Sequence, residues 1–535
     1  MRSELGCAGI VAIAAFVNPF PAFAAGANDV AAIQQQLEAL QSTLAEQQRV
    51  LQQQAAEIQR LRDELKSVSE TGAKTEELRQ RANEQKLAAQ EAPRVTTNGP
   101  RPVIASADGR NTWAPRAVVQ LDMAHYGEDR DAGTSDFRRG SVGGAGNRET
   151  NAARDFSDGA YFRRARFGFE GMIARDFNYR IMLELGGAGS EGPTRINDAW
   201  ISYAGFAPFT LQLGAFSPPA NMDDSTSVEN SLFIERATPA ELSRTLGGAD
   251  GRIGFGIRGS GARWMGALTV TTRTVNDAEV FDSQLAAVGR AGFLVAASAD
   301  YNVHAGVSAT WVQEPADQGA GANPRRTIRF RDRPEIRVDS TRLIDTGSID
   351  ADSAFAAGLE LGANWKNFFF QAENFWYGIQ RRESSPLSDP SFGGYYAETS
   401  WVITGEPHRY DPASGSFQSP RPFVPFSSAG GLGAWELALR YSHTDLNDQE
   451  GMFGVAALAD AVRGGEQNIW TFGINWYVNP NLRLLFNYLR IDVDRLNPAG
   501  PTNPSPFGPA PGTPPIGTQI GQQLDVYAVR SQFSF

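Results

Sequence analysis

From Trp113 onward the chain alternates apolar and polar residues in segments of about ten, punctuated by glycine, proline, asparagine and aspartate. In FNYRIMLEL, Tyr179, Ile181, Leu183 and Leu185 share one face, and Arg180, Met182 and Glu184 share the other. In IWTFGINWYV, Trp470, Phe472, Ile474 and Trp476 fall opposite Thr471, Gly473, Asn475 and Tyr477. A period of two is that of an extended strand. An apolar face backed by a face that keeps its arginines and carboxylates suits lipid outside and water inside. The pattern predicts sixteen strands, from 113–126 to 523–535, and hence an all-β transmembrane barrel of the antiparallel outer-membrane kind. Very short links at 174–177, 260–263, 366–367 and 478–480 alternate with longer ones, as turns at one end of a barrel alternate with loops at the other. Three connections, 217–250, 312–352 and 405–432, are too long for turns and are expected to narrow the lumen.

The pattern before Trp113 has a different period. Val30, Ile33, Leu37, Leu40, Leu44, Leu51, Ile58, Leu61, Leu65 and Val68 recur at threes and fours, with Gln47 and Gln54 interrupting the seam. This predicts an N-terminal α-helical coiled coil over 26–92 that associates with copies of itself. Pro93, Gly99, Pro100 and Pro102 end it in a linker over 93–112, leaving 113–535 for the barrel. Residues 1–25 carry one early arginine, an apolar run from Ile10 to Val17 and the small-x-small site at Ala22 and Ala24, the pattern of a secretory signal peptide. No apolar run reaches the roughly 18 residues of a spanning helix.

Composition removes several function classes. A net charge of −11 argues against nucleic acid as a partner. The one cysteine, Cys7, lies in the expected signal, so no disulfide or thiol nucleophile is expected after processing. His125, His304, His408 and His443 have no metal-ligand spacing, and no P-loop is present. GFGIRG at 254–259 matches a dinucleotide fingerprint only formally, because it lies within a strand and opens no helix. No cofactor and no catalytic residues are expected.

The basic residues are more informative. Lysine occurs only at Lys66, Lys74, Lys86 and Lys366, so the barrel's positive charge is nearly all guanidinium, whose fork matches oxyanions. In TIRFRDRPEIR, Arg329, Arg331 and Arg333 alternate with Ile328, Phe330 and Asp332. An extended chain would set the three guanidiniums on one face at roughly 7 Å intervals. The stretch falls in the 312–352 connection, and a loop folded into the lumen would make it a ladder for anions; an external loop would instead offer it to lipopolysaccharide phosphates. Strand parity points Arg164, Arg166, Arg252, Arg258, Arg440 and Arg530 inward, together with Glu170, Glu184, Asp198, Glu373 and Glu436. The candidate anion path comprises Arg329, Arg331 and Arg333 with Arg325, Arg326 and Arg337 beside them, the wall arginines Arg164, Arg166, Arg252 and Arg258, and Arg236.

Over roughly 110 to 535 the chain resembles the phosphate-selective porins of the O and P type. The resemblance rests on FRRARFGFEGMIARDFNYRIMLEL, LGAFSPPANMDDSTSVENSLFIERATPAEL, TGEPHRYDPASGSF, GAWELALRYSHTDLND and GINWYVNPNLRLLFNYLRID. It implies a homotrimer of sixteen-stranded barrels with inward-folded segments and an arginine ladder, similar to IRFRDRPEIR here, that conducts phosphate or other small anions. Where family members often read GQFKPPF, this chain has GAFSPPA, with Ser217 in place of lysine. A general or sugar-conducting porin using aromatic tracks, a structural anchor and a barrel enzyme are the rival readings. The C-terminal VYAVRSQFSF, ending in Phe535, resembles the signal read by barrel-insertion machinery.

Overall fold

The computed structural model describes residues 27–98, 101–128, 156–187, 194–277, 281–321, 323–499 and 516–535. The expected signal peptide lies outside them. Two compact units divide the chain, one up to Gln90 and one from Glu91 onward. The first is a single helix, α1 (Ala27–Glu91). Its seam is bare in the isolated chain, with Leu40 at 69% exposure and Leu65 at 72%. The expected linker is partly folded: Arg94–Asn98 and Arg101–Ala105 form a hairpin, and Ile104 pairs with Trp113 at the start of the first barrel strand.

The barrel strands are β1 (Thr112–Glu128), β2 (Gly159–Ile173), β3 (Phe177–Glu184), β4 (Arg195–Phe206), β5 (Phe209–Phe216), β6 (Arg252–Ser260), β7 (Trp264–Thr274) and β8 (Leu285–Ala297). They continue as β9 (Tyr301–Glu314), β10 (Ile349–Trp365), β11 (Phe368–Arg381), β12 (Ser391–Val402), β13 (Ala434–Asp448), β14 (Val462–Tyr477), β15 (Leu482–Asp494) and β16 (Gln522–Ser534). Each pairs antiparallel with the next, and β16 pairs with β1, Tyr527 opposite His125, so the sheet closes without edges. The alternation reads out as expected. Ile181, Leu183, Trp470 and Phe472 are exposed on the outside, while Met182, Glu184, Thr471 and Asn475 are buried toward the lumen.

Both long connections from the loop end turn inward, and so does the one from the short-turn end. Residues 217–250 carry α2 (Met222–Ser225) and α3 (Thr238–Gly247), with Pro239 in the first turn of α3, and nearly all of α3 is buried. Residues 403–433 carry the small hairpin Arg409–Asp411 and Ser416–Gln418. The lumen therefore has an apolar core of its own. Leu242, Leu246, Ile328, Phe330, Ile336 and Ile344 from the inward segments pack against Tyr377, Ile379, Phe392, Ile469, Leu489 and Leu524 on the inner face of β11 to β16. Each such side chain withdrawn from lumen water contributes roughly 1.5–3 kcal/mol. That cluster seats the segments against β8 to β16 and part of β1, and a cavity remains against β1 to β7.

Candidate permeation site

Electrostatic anchors fix the inward segments to the wall. Glu235 accepts from Arg163 (2.7 Å) on β2 and Arg530 (3.0 Å) on β16, and Arg337 lies 3.3 Å from it. Burial alone would push its carboxyl up, but the guanidiniums of Arg163, Arg337, Arg164 and Arg530 hold it well below the ordinary glutamate range. Arg530 also forks onto Asp122 at 2.6 and 2.7 Å. Glu335, in the other loop-end segment, accepts from Arg440 (2.5 Å), Ser442 and the backbone N–H of Thr238. Arg290 grips the third segment, donating to the carbonyls of Ser414 (2.6 Å) and Gly415 (2.7 Å) while paired with Glu360. The glutamates and arginines of the inner wall thus position the segments that restrict the lumen.

The stretch 327–337 does fold inward. Phe330 lies 5.3 Å from the Tyr377 ring and 5.9 Å from Phe392, and Thr327 and Ile328 pair with Asp350 and Ile349. The three-rung ladder is nevertheless not formed. Arg329 and Arg331 are exposed on one side, but Arg333 is buried at 3%. Parity holds only while the chain stays paired: pairing ends at Asp332 opposite Ile344, Pro334 follows, and Glu335 has φ 57. Arg329 is also clamped by Asp345, with Nε at 2.7 Å. What remains is a cluster: burial and the neighbouring charges of Arg333 and Arg331 pull the Arg342 guanidinium below its usual value. Burial pushes Asp332 inside this cluster up to about 7, although Arg337 draws it back.

The other candidates divide into held and open groups. Arg326 pairs with Glu314 (2.7 Å) and Asp317 (2.5 Å), and Arg337 with Glu241 (2.8 Å). Arg166 bridges Glu184 (2.7 Å) and Asp250 (2.6 Å); Arg164 donates to Gln120 (2.7 Å); Arg252 donates to the carbonyls of Gly248 and Thr272. Arg236 is half-buried beside Asp224 at 3.8 Å and donates to the carbonyls of Asp223 and Thr226. Arg325, Arg331 and Arg258 are exposed, and none forms an ion pair or side-chain hydrogen bond among the described residues. Arg166, Arg236 and Arg258, with Arg116 and Arg180, line a cavity of about 560 Å³ against β1 to β7, where Ser217 and Ser414 also sit. Asp198, Asp224, Glu229, Asp250 and Asp411 line it too, so the five arginines meet five carboxylates, and among the described residues Arg258 is the lining guanidinium left without a partner. Sequence reasoning missed Arg116, Arg180, Arg163 and Arg290. Parity carried the signal for Arg180, which shares a face with Glu184, whereas Arg290 stands on the weakly polar inner face Ala286, Val288, Arg290.

Closed sheet, inward segments and arginine-lined cavity are in place over the span where a family match occurs. Residues 136–503 match Phosphate-selective porin O and P. The chain belongs to this family. Membership makes it an outer-membrane β-barrel porin, a channel rather than an enzyme. It is 27% identical over 353 residues to an uncharacterized protein of Caulobacter vibrioides, covering 64% of this chain and only 65% of that protein's length. It is 24% identical over 355 residues to Porin O of Pseudomonas aeruginosa, covering 64% of this chain and 78% of that protein. Similar solved structures include the anion-selective porin from Comamonas acidovorans, 10% identical, covering 79% of this chain and all of that one, TM-score 0.43. The trimer form of OmpT of Vibrio cholerae is 10% identical, covering 79% of this chain and 99% of that one, TM-score 0.44.

Proposed function

We propose that this porin is a passive, anion-preferring channel for phosphate or related oxyanions, working as a homotrimer joined through α1. The observation that carries the reading is the distribution of unpaired guanidinium: Arg331 at the loop-end segment and Arg258 in the wall cavity are both exposed without a carboxylate partner among the described residues. A charge pair at 4 Å with an effective dielectric near 20 is worth roughly 4 kcal/mol, enough to repel cations. Several weak sites in series let an anion replace part of its hydration and leave again. Carboxylate partners on Arg116, Arg166, Arg180 and Arg236 keep the cavity from becoming a trap. The outer face meets lipid, the loop end meets lipopolysaccharide, α1 lies in the periplasm and the C-terminal Phe535 engages the barrel-insertion machinery.

Reversal potentials in a planar bilayer under a potassium chloride gradient test this. The wild type should prefer anions, and added phosphate should block chloride current. Arg258→Ala and Arg331→Ala should each lower the preference, whereas Arg329→Ala, already neutralised by Asp345, should change it little. Equal permeability of the two ions in the wild type would sink the reading.

A further inference from the structure

The chain has ten tryptophans. Trp113, Trp264, Trp311, Trp365, Trp376, Trp401 and Trp470 are exposed on the outer face, and Trp435 and Trp476 stack on each other at 5.2 Å with the same outward parity. All nine have the usual reason to be there, because amphipathic rings favour the lipid side and interfaces of a barrel. Trp200 is the exception. It shares the inner face of β4 with Asp198 and Ser202 and lines the arginine cavity. Its seat is built. Trp200 pairs with Gly214 of β5, whose φ is 131, and a Cβ there would come within 2.7 Å of the Trp200 Cα. On the other side the Arg180 guanidinium stands 5.4 Å from the indole centroid, itself tied to Glu170 at 2.7 Å. Trp200 is half-buried and lines the cavity.

A small, strongly hydrated inorganic anion gains nothing from an indole face. A planar conjugated solute does, through offset stacking. The same cavity holds the unpartnered Arg258 guanidinium, whose planar fork takes a carboxylate bidentately. The apolar Met265 and Ala267 also line the cavity. We infer that the cavity against β4 to β7 is a subsite for a planar aromatic carboxylate, its ring on Trp200 and its head group on Arg258. The inference rests on the anion-channel reading above and narrows its solute class.

Benzoate, inorganic phosphate and glucose, each added to the full-length channel carrying chloride current, distinguish the possibilities. Benzoate should block, and Trp200→Ala should raise its half-blocking concentration roughly fivefold while moving that of phosphate by less than about twofold. Trp200→Phe should retain most of the benzoate block, since it keeps a stacking face and guards against a merely misassembled alanine variant. Arg258→Ala should weaken the block by both anions. Benzoate block that is unchanged in Trp200→Ala, or that falls in step with phosphate block, would overturn the subsite while leaving an anion channel standing. Glucose blocking better than benzoate would also overturn it, in favour of a neutral ring ligand. A wild-type channel without anion preference would end both readings.

Discussion

At the scale of single residues, what counts is which guanidiniums are already spoken for. Sequence parity told which face an arginine occupies, and it did so correctly for Arg164, Arg166, Arg440 and Arg530, all buried against the lumen. It could not tell the partner, because the carboxylates arrive from elsewhere: Asp250 reaches Arg166 across 84 residues and Asp122 reaches Arg530 across 408. The three rungs of the ladder are not presented alike either: pairing ends at Asp332, and beyond it Arg333 is buried while Arg329 and Arg331 are exposed. Its remnant carries a pH prediction. Burial raises Asp332 to about 7, so its carboxylate is charged above neutral pH and becomes neutral as pH falls through that value. The charge around Arg331, Arg333 and Arg342 then rises by one unit. Anion preference should increase from about pH 8 to about pH 6. Asp332→Asn should hold the acidic value throughout, and an unaltered pH dependence in that variant would assign the titration to another group.

Elements were the most legible level, because a period of two holds as long as each strand separates lipid from water. Predicted segments such as 209–216 and 264–272 coincide with β5 and nearly with β7 (Trp264–Thr274). The hairpin in 93–112 was hidden because its strands, Arg94–Asn98 and Arg101–Ala105, are only 5 residues each and stand among prolines that read as an ordinary break between helix and barrel. The inward course of the three long connections followed from length, but their docking depends on side chains from four or more strands. Glu235 is the clearest case, binding Arg163 and Arg530 on two walls and lying against Arg337 of a second segment. Removing one partner of a buried ion pair costs about 3–5 kcal/mol, since the remaining charges stay buried. Glu235→Ala leaves those guanidiniums facing one another. The 217–250 segment should loosen, giving larger and noisier single-channel conductance and a lower unfolding temperature. Wild-type conductance together with wild-type thermal stability would show that the segment is held by its apolar contacts alone.

For the whole molecule, the open question is what covers α1. Its outer positions carry glutamine, glutamate and arginine, as a soluble helix requires, yet the seam from Val30 to Val68 is exposed along its length, with Leu37 at 54% and Leu51 at 63%. A solitary helix of this kind leaves a leucine stripe in water; two or more copies bury it by knobs-into-holes packing. The helix also forms a compact unit separate from the barrel unit that begins at Glu91, so it can be removed without taking a strand from the sheet. Polar d positions at Gln47 and Gln54 are compatible with three strands, and this fits the trimeric assembly proposed above. Deleting residues 30 to 68 should therefore leave barrel insertion and single-channel conductance intact while lowering the temperature at which the oligomer dissociates in detergent. Semi-native electrophoresis across a heating series reads this directly. If truncated and full-length oligomers separate at the same temperature, the barrels hold themselves together through their outer faces, and the exposed seam serves a partner other than its own copies.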